Sequence, residues 1–200
     1  MHARRSSRGF TLIELLTVVA IIGILASAVA TLSRGSGDET LVRNTAAEVA
    51  NLIREAQARA ATVGGDGVAS DHDFIYGVFV PRTDGNTAIL FQEDMAAPGT
   101  VQQYDAGEEI ETFTLPGKVE FTEYCFDGSC QSFGGGSADQ GLTVVFERPD
   151  LTAVIFGWPP SGGPPPGPVR SEGSLTLAIT YDGSITNEVE ILSSGLVQVR

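Results

Sequence analysis

Gly9-Phe10-Thr11-Leu12-Ile13-Glu14-Leu15-Leu16 is the stretch on which the reading turns. Before it stand nine short, polar and basic residues, Met1 to Gly9, holding Arg4, Arg5 and Arg8. After it the chain stays apolar. Phe10 to Leu32 has a single charge, Glu14, and the 18 residues from Leu15 to Leu32 have none. An 18-residue helix is roughly 27 Å long, close to the hydrocarbon thickness of a bilayer. The arginines precede this run and acidic sequence comes after it. The positive-inside rule then leaves the N-terminus in the cytoplasm and carries the rest of the chain across the membrane.

Three readings of this segment compete. A cleaved secretory signal would have a basic start, an apolar centre and a small-x-small site such as Ala26-Ser27-Ala28. A plain single-pass anchor would keep residues 1–9. Neither gains anything from Glu14. A carboxylate in an apolar span costs about 2.5–3.5 kcal/mol when central and less near an end. It is useful where a cation becomes its partner. Cleavage between Gly9 and Phe10 would create one, the new α-amine of Phe10, about one helical turn from Glu14 and open to a neighbouring chain.

These eight residues resemble the prepilin signature of type IV pilins and type II secretion pseudopilins. The resemblance extends through the apolar helix, about 25 residues in all. It implies cleavage after Gly9 by a prepilin peptidase, N-methylation of Phe10 by the same enzyme, and contact between Glu14 and the amine of an adjacent subunit. It also implies other pilin or pseudopilin subunits and an inner-membrane assembly platform as partners. The protein is then held in the cytoplasmic membrane first and in a filament afterwards. Many type IV pilins have a proline at the position of Thr31, which this chain lacks.

The remainder of the chain reads as one helix and then strands. Gly35-Ser36-Gly37 is expected to interrupt the apolar helix, with Asp38 capping a second one. Val42, Ala46, Val49, Ile53, Ala56, Ala60 and Val63 recur at spacings of three and four, an amphipathic stripe. Arg43, Glu48, Asn51, Glu55 and Arg59 mark the opposite face. Gly64-Gly65-Asp66-Gly67 stops the helix. Strand-like runs come next, at Phe74–Val80, Ala88–Gln92, Glu111–Leu115, Val119–Tyr124, Leu142–Glu147, Thr152–Gly157, Leu175–Tyr181, Thr186–Leu192 and Leu196–Val199. Asp182-Gly183 between two apolar runs signals a hairpin. No further helices alternate with these strands, which excludes a parallel α/β sheet.

The expected fold is therefore α+β and pilin-like. A long N-terminal helix, with a membrane half and an amphipathic half, packs on an antiparallel sheet. The expected organisation is a leader at 1–9, a helix at 10–63 (10–32 in the membrane or filament core, 38–63 amphipathic), and a β-rich extracytoplasmic body at 64–200. Within the body, Pro159 to Pro168 reads as an exposed loop of polyproline character, either a solvated insertion or a contact surface. A helix before a β-rich body that ends in a strand is similar to the minor H-type pseudopilins and pilins.

Charge and motif content narrow the function. The 200 residues hold 12 basic and 25 acidic side chains, a net charge of −13. Without the three leader arginines the balance is nine against 25, or −16. Such a body repels phosphate backbones, so direct nucleic-acid binding is disfavoured. The tail Ser193 to Arg200 has one arginine, which also weighs against DNA contact, although membership of a DNA-uptake machine stays open. No nucleophile elbow, phosphate loop or dinucleotide fingerprint is present, and Gly134-Gly135-Gly136-Ser137 lacks the lysine of a phosphate loop. His72, between Asp71 and Asp73, reads as a loop residue. The protein is therefore read as a structural subunit, with a secreted or membrane-anchored binding domain or enzyme as the alternative.

Cys125 and Cys130 flank Phe-Asp-Gly-Ser, and an extracytoplasmic body would favour a bridge between them worth roughly 2 kcal/mol. Zinc is weakly supported, because no second cysteine pair exists and His72 stands alone. No cofactor is expected. Calcium remains an option through Asp66, Asp71 and Asp73 with Glu108, Glu109 and Glu111, and the resemblance makes it relevant because some major pseudopilins bind calcium. The aspartate spacing does not match an EF-hand loop.

Overall fold

The computed structural model describes residues 11–62, 74–83, 85–94, 104–126, 129–135, 141–147, 151–157 and 173–200, and within these it leaves the side chains of 30–36 undescribed. The chain divides into two compact units, Met1–Thr40 and Leu41–Arg200. Helix α1 runs Leu12–Thr62. The expected interruption at Gly35-Ser36-Gly37 is absent. Each glycine costs a helix about 1 kcal/mol relative to alanine, while a true break needs proline or a competing cap. No proline stands there, and the helix continues through the glycines and past Asp38 without a break.

In the first unit, the helix presents apolar side chains outward. Leu12, Ile13, Leu15, Leu16, Val18, Val19, Ile21, Ile22, Ile24, Leu25 and Val29 are all exposed. The window Leu12–Val29 has a mean hydropathy of 2.5 and is long and apolar enough to cross a membrane. Among the described residues none of this window is buried, and water is a poor solvent for such a surface.

The second unit is a β-rich body on the amphipathic part of α1. The predicted stripe is buried: Val42, Ala46, Val49, Ile53, Ala56 and Ala60 are each at most 1% exposed. Val63 lies outside the described residues. Ala50, Leu52 and Thr45 widen the buried face, and Thr45 Oγ1 satisfies itself by donating to the Leu41 carbonyl at 2.9 Å. On the solvent side Arg59 donates to Glu55, with a closest approach of 2.7 Å, an i,i+4 pair.

Among the described residues, ten strands succeed the helix. They are β1 Phe74–Pro81, β2 Thr87–Asp94, β3 Glu109–Thr114, β4 Val119–Phe126, β5 Ser129–Ser132, β6 Gly141–Glu147, β7 Thr152–Phe156, β8 Ser174–Tyr181, β9 Ile185–Leu192 and β10 Val197–Val199. All nine predicted strands are present. β5 (Ser-Cys-Gln-Ser) has no apolar residue to announce it. The expected single sheet is instead two antiparallel sheets of five strands, ordered β3-β2-β1-β6-β7 and β10-β9-β8-β4-β5. The chain changes sheet between β3 and β4, then returns through β6, which pairs with β1, before β8 pairs with β4. Such long-range pairing leaves no local sequence mark.

One continuous core draws on α1 and both sheets. The first sheet contributes Tyr76, Val78, Val80, Ala88, Leu90 and Val144, and the second Phe121, Tyr124, Leu175, Leu177, Ile179, Val189 and Ile191. The first sheet is apolar on its other face as well, through Ile75, Phe79, Phe91, Val145, Val154 and Phe156. β1 is accordingly buried along nearly its whole length. Gly77 is obligatory there. An added Cβ would stand 2.7 Å from the Val144 carbonyl oxygen, 2.7 Å from Val145 Cγ1 and 2.8 Å from Phe91 Cε1. The predicted Asp182-Gly183 turn joins β8 to β9, with both residues at positive φ, 48° and 69°.

Candidate functional site: the helix N-terminus

Thr11 stands just before the first turn of α1 and Glu14 lies within that turn. The Glu14 amide donates to Thr11 Oγ1 at 3.4 Å. In return Glu14 Oε2 accepts from the Thr11 amide at 3.4 Å and from the Thr11 hydroxyl at 3.3 Å. This reciprocal arrangement is a capping box, in which two donors left over by the helix start are satisfied by one threonine and one glutamate. The sequence signal for it was available in Thr11-Leu12-Ile13-Glu14, the spacing of a threonine three residues before a glutamate. Reading Glu14 for an intermolecular partner alone missed it.

The consequence is electrostatic. Next to the bilayer-length apolar helix, a bare carboxylate is costly. Here it lies at the positive end of the helix dipole with two local donors. Both bonds fall on Oε2, and Oε1 has no hydrogen bond among the described residues. Further along, the Thr17 and Ser27 hydroxyls donate to the carbonyls of Glu14 and Ile24 at 2.9 and 2.7 Å, so these polar side chains satisfy themselves within the helix. Gly9 and Phe10, the predicted processing site, lie outside the described residues.

The sequence of this site has a known counterpart. The profile of the prokaryotic N-terminal methylation motif matches residues 4–30. The chain thus carries the signature of the type IV pilins and pseudopilins at the N-terminus of its apolar helix. No curated protein and no solved structure matches it.

The other candidates resolve differently. Cys125 and Cys130 form a disulfide, as directly opposed residues of the β4–β5 hairpin. The Glu123 carboxylate lies within 4.8 Å of both sulfurs, but these are bonded to each other, so the trio is not a set of free metal ligands. Of the acidic residues weighed for calcium, Asp66, Asp71 and Asp73 lie outside the described residues, as do His72 and the proline-rich loop.

Glu108, Glu109 and Glu111 do not converge. Glu109 pairs with Phe91 and Glu111 with Leu90, adjacent β2 residues that face opposite sides of the sheet. Glu108 Oε2 accepts from the Asp105 amide at 2.9 Å, and Glu109 Oε2 accepts from the Gly107 amide at 2.7 Å and the Tyr104 hydroxyl at 3.4 Å. Hydrogen bonds from its own and the Gly107 amide hold the Glu109 carboxyl below its ordinary value. The Tyr104 ring stacks on Phe79 at 4.8 Å. Burial, and after it the Glu109 charge, pushes its phenol up.

Among the described residues, two hollows can be placed on the body. One, of about 440 Å³, is bounded by Asn86, Gly117, Lys118, Val119, Glu120, Asp182 and Gly183. Its lysine is already paired with Asp182 at 2.9 Å. The other, of about 130 Å³, is bounded by Gly85, Glu120, Phe121, Thr122, Phe133 and Gly134. Neither places a nucleophile beside a general base.

Proposed function

We propose that this protein is a structural subunit of a pilin-like filament, processed after Gly9, N-methylated at Phe10 and assembled through α1. The observation that carries the reading is the coincidence of the methylation motif at 4–30 with an exposed apolar helix over Leu12–Val29. A surface of that kind is explained by lipid before assembly and by the helices of other subunits afterwards. The N-terminus lies in the cytoplasm and the body outside it, in keeping with the arginines before the span. The partners are the prepilin peptidase, other pilin or pseudopilin subunits and the membrane assembly platform.

Glu14 supplies register. In the single chain its charge is shared with Thr11. In the filament the methylated amine of a neighbour engages the same carboxylate, and a salt-bridged pair inside an apolar bundle disfavours axial slips, as single buried polar residues do in coiled coils. The body performs no catalysis. Its long helix before a β-rich body that closes on β10 favours the minor H-type branch. Glu14→Ala tests the mechanism. The variant is expected to be cleaved normally and to remain in the membrane fraction while its recovery in sheared filaments falls at least tenfold. Undiminished recovery contradicts the register role.

A further inference from the structure

β5 is a weak strand by every local measure. It has four residues, Ser-Cys-Gln-Ser, lies at the edge of its sheet and is largely exposed. The two residues just after it are firmly held. Phe133 is 9% exposed and enters the shared core, its ring 5.2 Å from Tyr124 and 5.8 Å from Phe121. Its amide donates to the carbonyl of Thr122, the residue at which β4 shifts register against β8, at 2.9 Å. The next amide, of Gly134, donates to the Arg82 carbonyl in the β1–β2 turn at 2.8 Å. The short segment 129–134 therefore crosses from the edge of the second sheet to a turn of the first. Besides the ladder, β5 is held by the Tyr124 hydroxyl, which donates to Gln131 Oε1 at 2.9 Å, and by the disulfide at the Cys125–Cys130 pair.

We propose that the Cys125–Cys130 bond is a latch that seats Phe133, so that thiol oxidation after export completes the contact between the two sheets. The chemistry is a thiol–disulfide exchange. The Cys125 and Cys130 thiols each give up a proton and together two electrons. The S–S bond forms between them, and the disulfide of an external oxidant is reduced to two thiols. With the thiols free, the described contacts of β5 are its edge hydrogen bonds to β4 and the Tyr124–Gln131 hydrogen bond. Phe133 can then withdraw, and the neighbouring hollow opens onto Phe121 and Tyr124. The latch acts locally, because β8 and β9 pair with each other along eight positions without help from β5. This inference rests on the export of the body in the proposed function, though not on filament assembly.

Amide hydrogen exchange on the full chain in detergent micelles tests it, comparing the oxidised protein, the protein reduced by a phosphine, and the Cys125→Ser/Cys130→Ser variant. Closing a loop of this size reduces the entropy of the open segment by an amount equivalent to about a 30-fold change in its opening equilibrium. The Phe133 and Gly134 amides are expected to exchange about 30-fold faster in both the reduced protein and the variant, with β8 and β9 unchanged. Unaltered exchange at Phe133 and Gly134 overturns the proposal. So does equal acceleration of β8 and β9, which would make the bond a staple of the whole body.

Discussion

Replacing Ile53 by alanine separates the two jobs of α1. Ile53 is 1% exposed and lies in the core shared by the helix and both sheets. The change removes three carbons, about 2.4 kcal/mol at 0.8 kcal/mol per buried methylene. Its nearest neighbours on the buried face of α1 include Ala50 and Ala56, both fully buried and too short to fill the gap. A residual cavity adds to the cost, giving about 3 kcal/mol in total. With a urea slope near 2 kcal/mol/M, the unfolding midpoint falls by roughly 1.5 M at unchanged slope. The assay is urea unfolding of the full chain in micelles, monitored by far-UV circular dichroism. Leu16→Ala is the control. Leu16 is 58% exposed and lies in the membrane-length window, so the midpoint of the body should not move, while partition into vesicles weakens. A loss below about 1 kcal/mol for Ile53→Ala, or an equal loss for both variants, refutes the division of the helix into anchor and core element.

Two other perturbations probe backbone crowding and pH. Gly77→Ala places a methyl group against the Val144 carbonyl and the Phe91 ring, and should cost about 1–3 kcal/mol through overpacking, read as a melting temperature lower by several degrees; an unchanged melting temperature contradicts the close approach of β1 to β2 and β6. The Glu109 carboxyl is depressed below its ordinary value of 4.5 in the folded chain, so its support of the Tyr104–Glu109 corner is full above that value and is lost as pH falls through the folded value. Protection of the Gly107 amide, its exchange rate taken relative to the intrinsic rate at each pH, should fall as pH drops through the folded Glu109 value, and Glu109→Gln should abolish that response. The same acid response in the glutamine variant would assign it to another group.

Much of the architecture was legible because it rests on local patterns. Val42 to Ala60 announced a helix face by period, and the nine apolar strands announced themselves between turn residues. β5 could not be read, because it is short and polar, and what ties it to the body is Phe133 just after it and a disulfide at the surface. The two-sheet arrangement was hidden because β1 joins β6 and β4 joins β8 across long separations. The glycines at 35 and 37 suggested a break that the helix does not make, since glycine weakens a helix without ending it. At the site, Glu14 drew attention as the one charge in an apolar run. Thr11 did not, since a threonine in such a run is unremarkable until its hydroxyl is seen to cap the helix with Glu14.

The proposed assembly through α1 rests on an N-terminus made by cleavage between Gly9 and Phe10. Intact mass and N-terminal sequencing of the protein from a membrane fraction of its native cell decide whether that cut is made. The expected product is a chain beginning at Phe10 with one added methyl group, and a Gly9→Leu variant should keep its leader. A chain beginning between Ser27 and Thr31, or an uncut Met1, contradicts the pilin-type pathway.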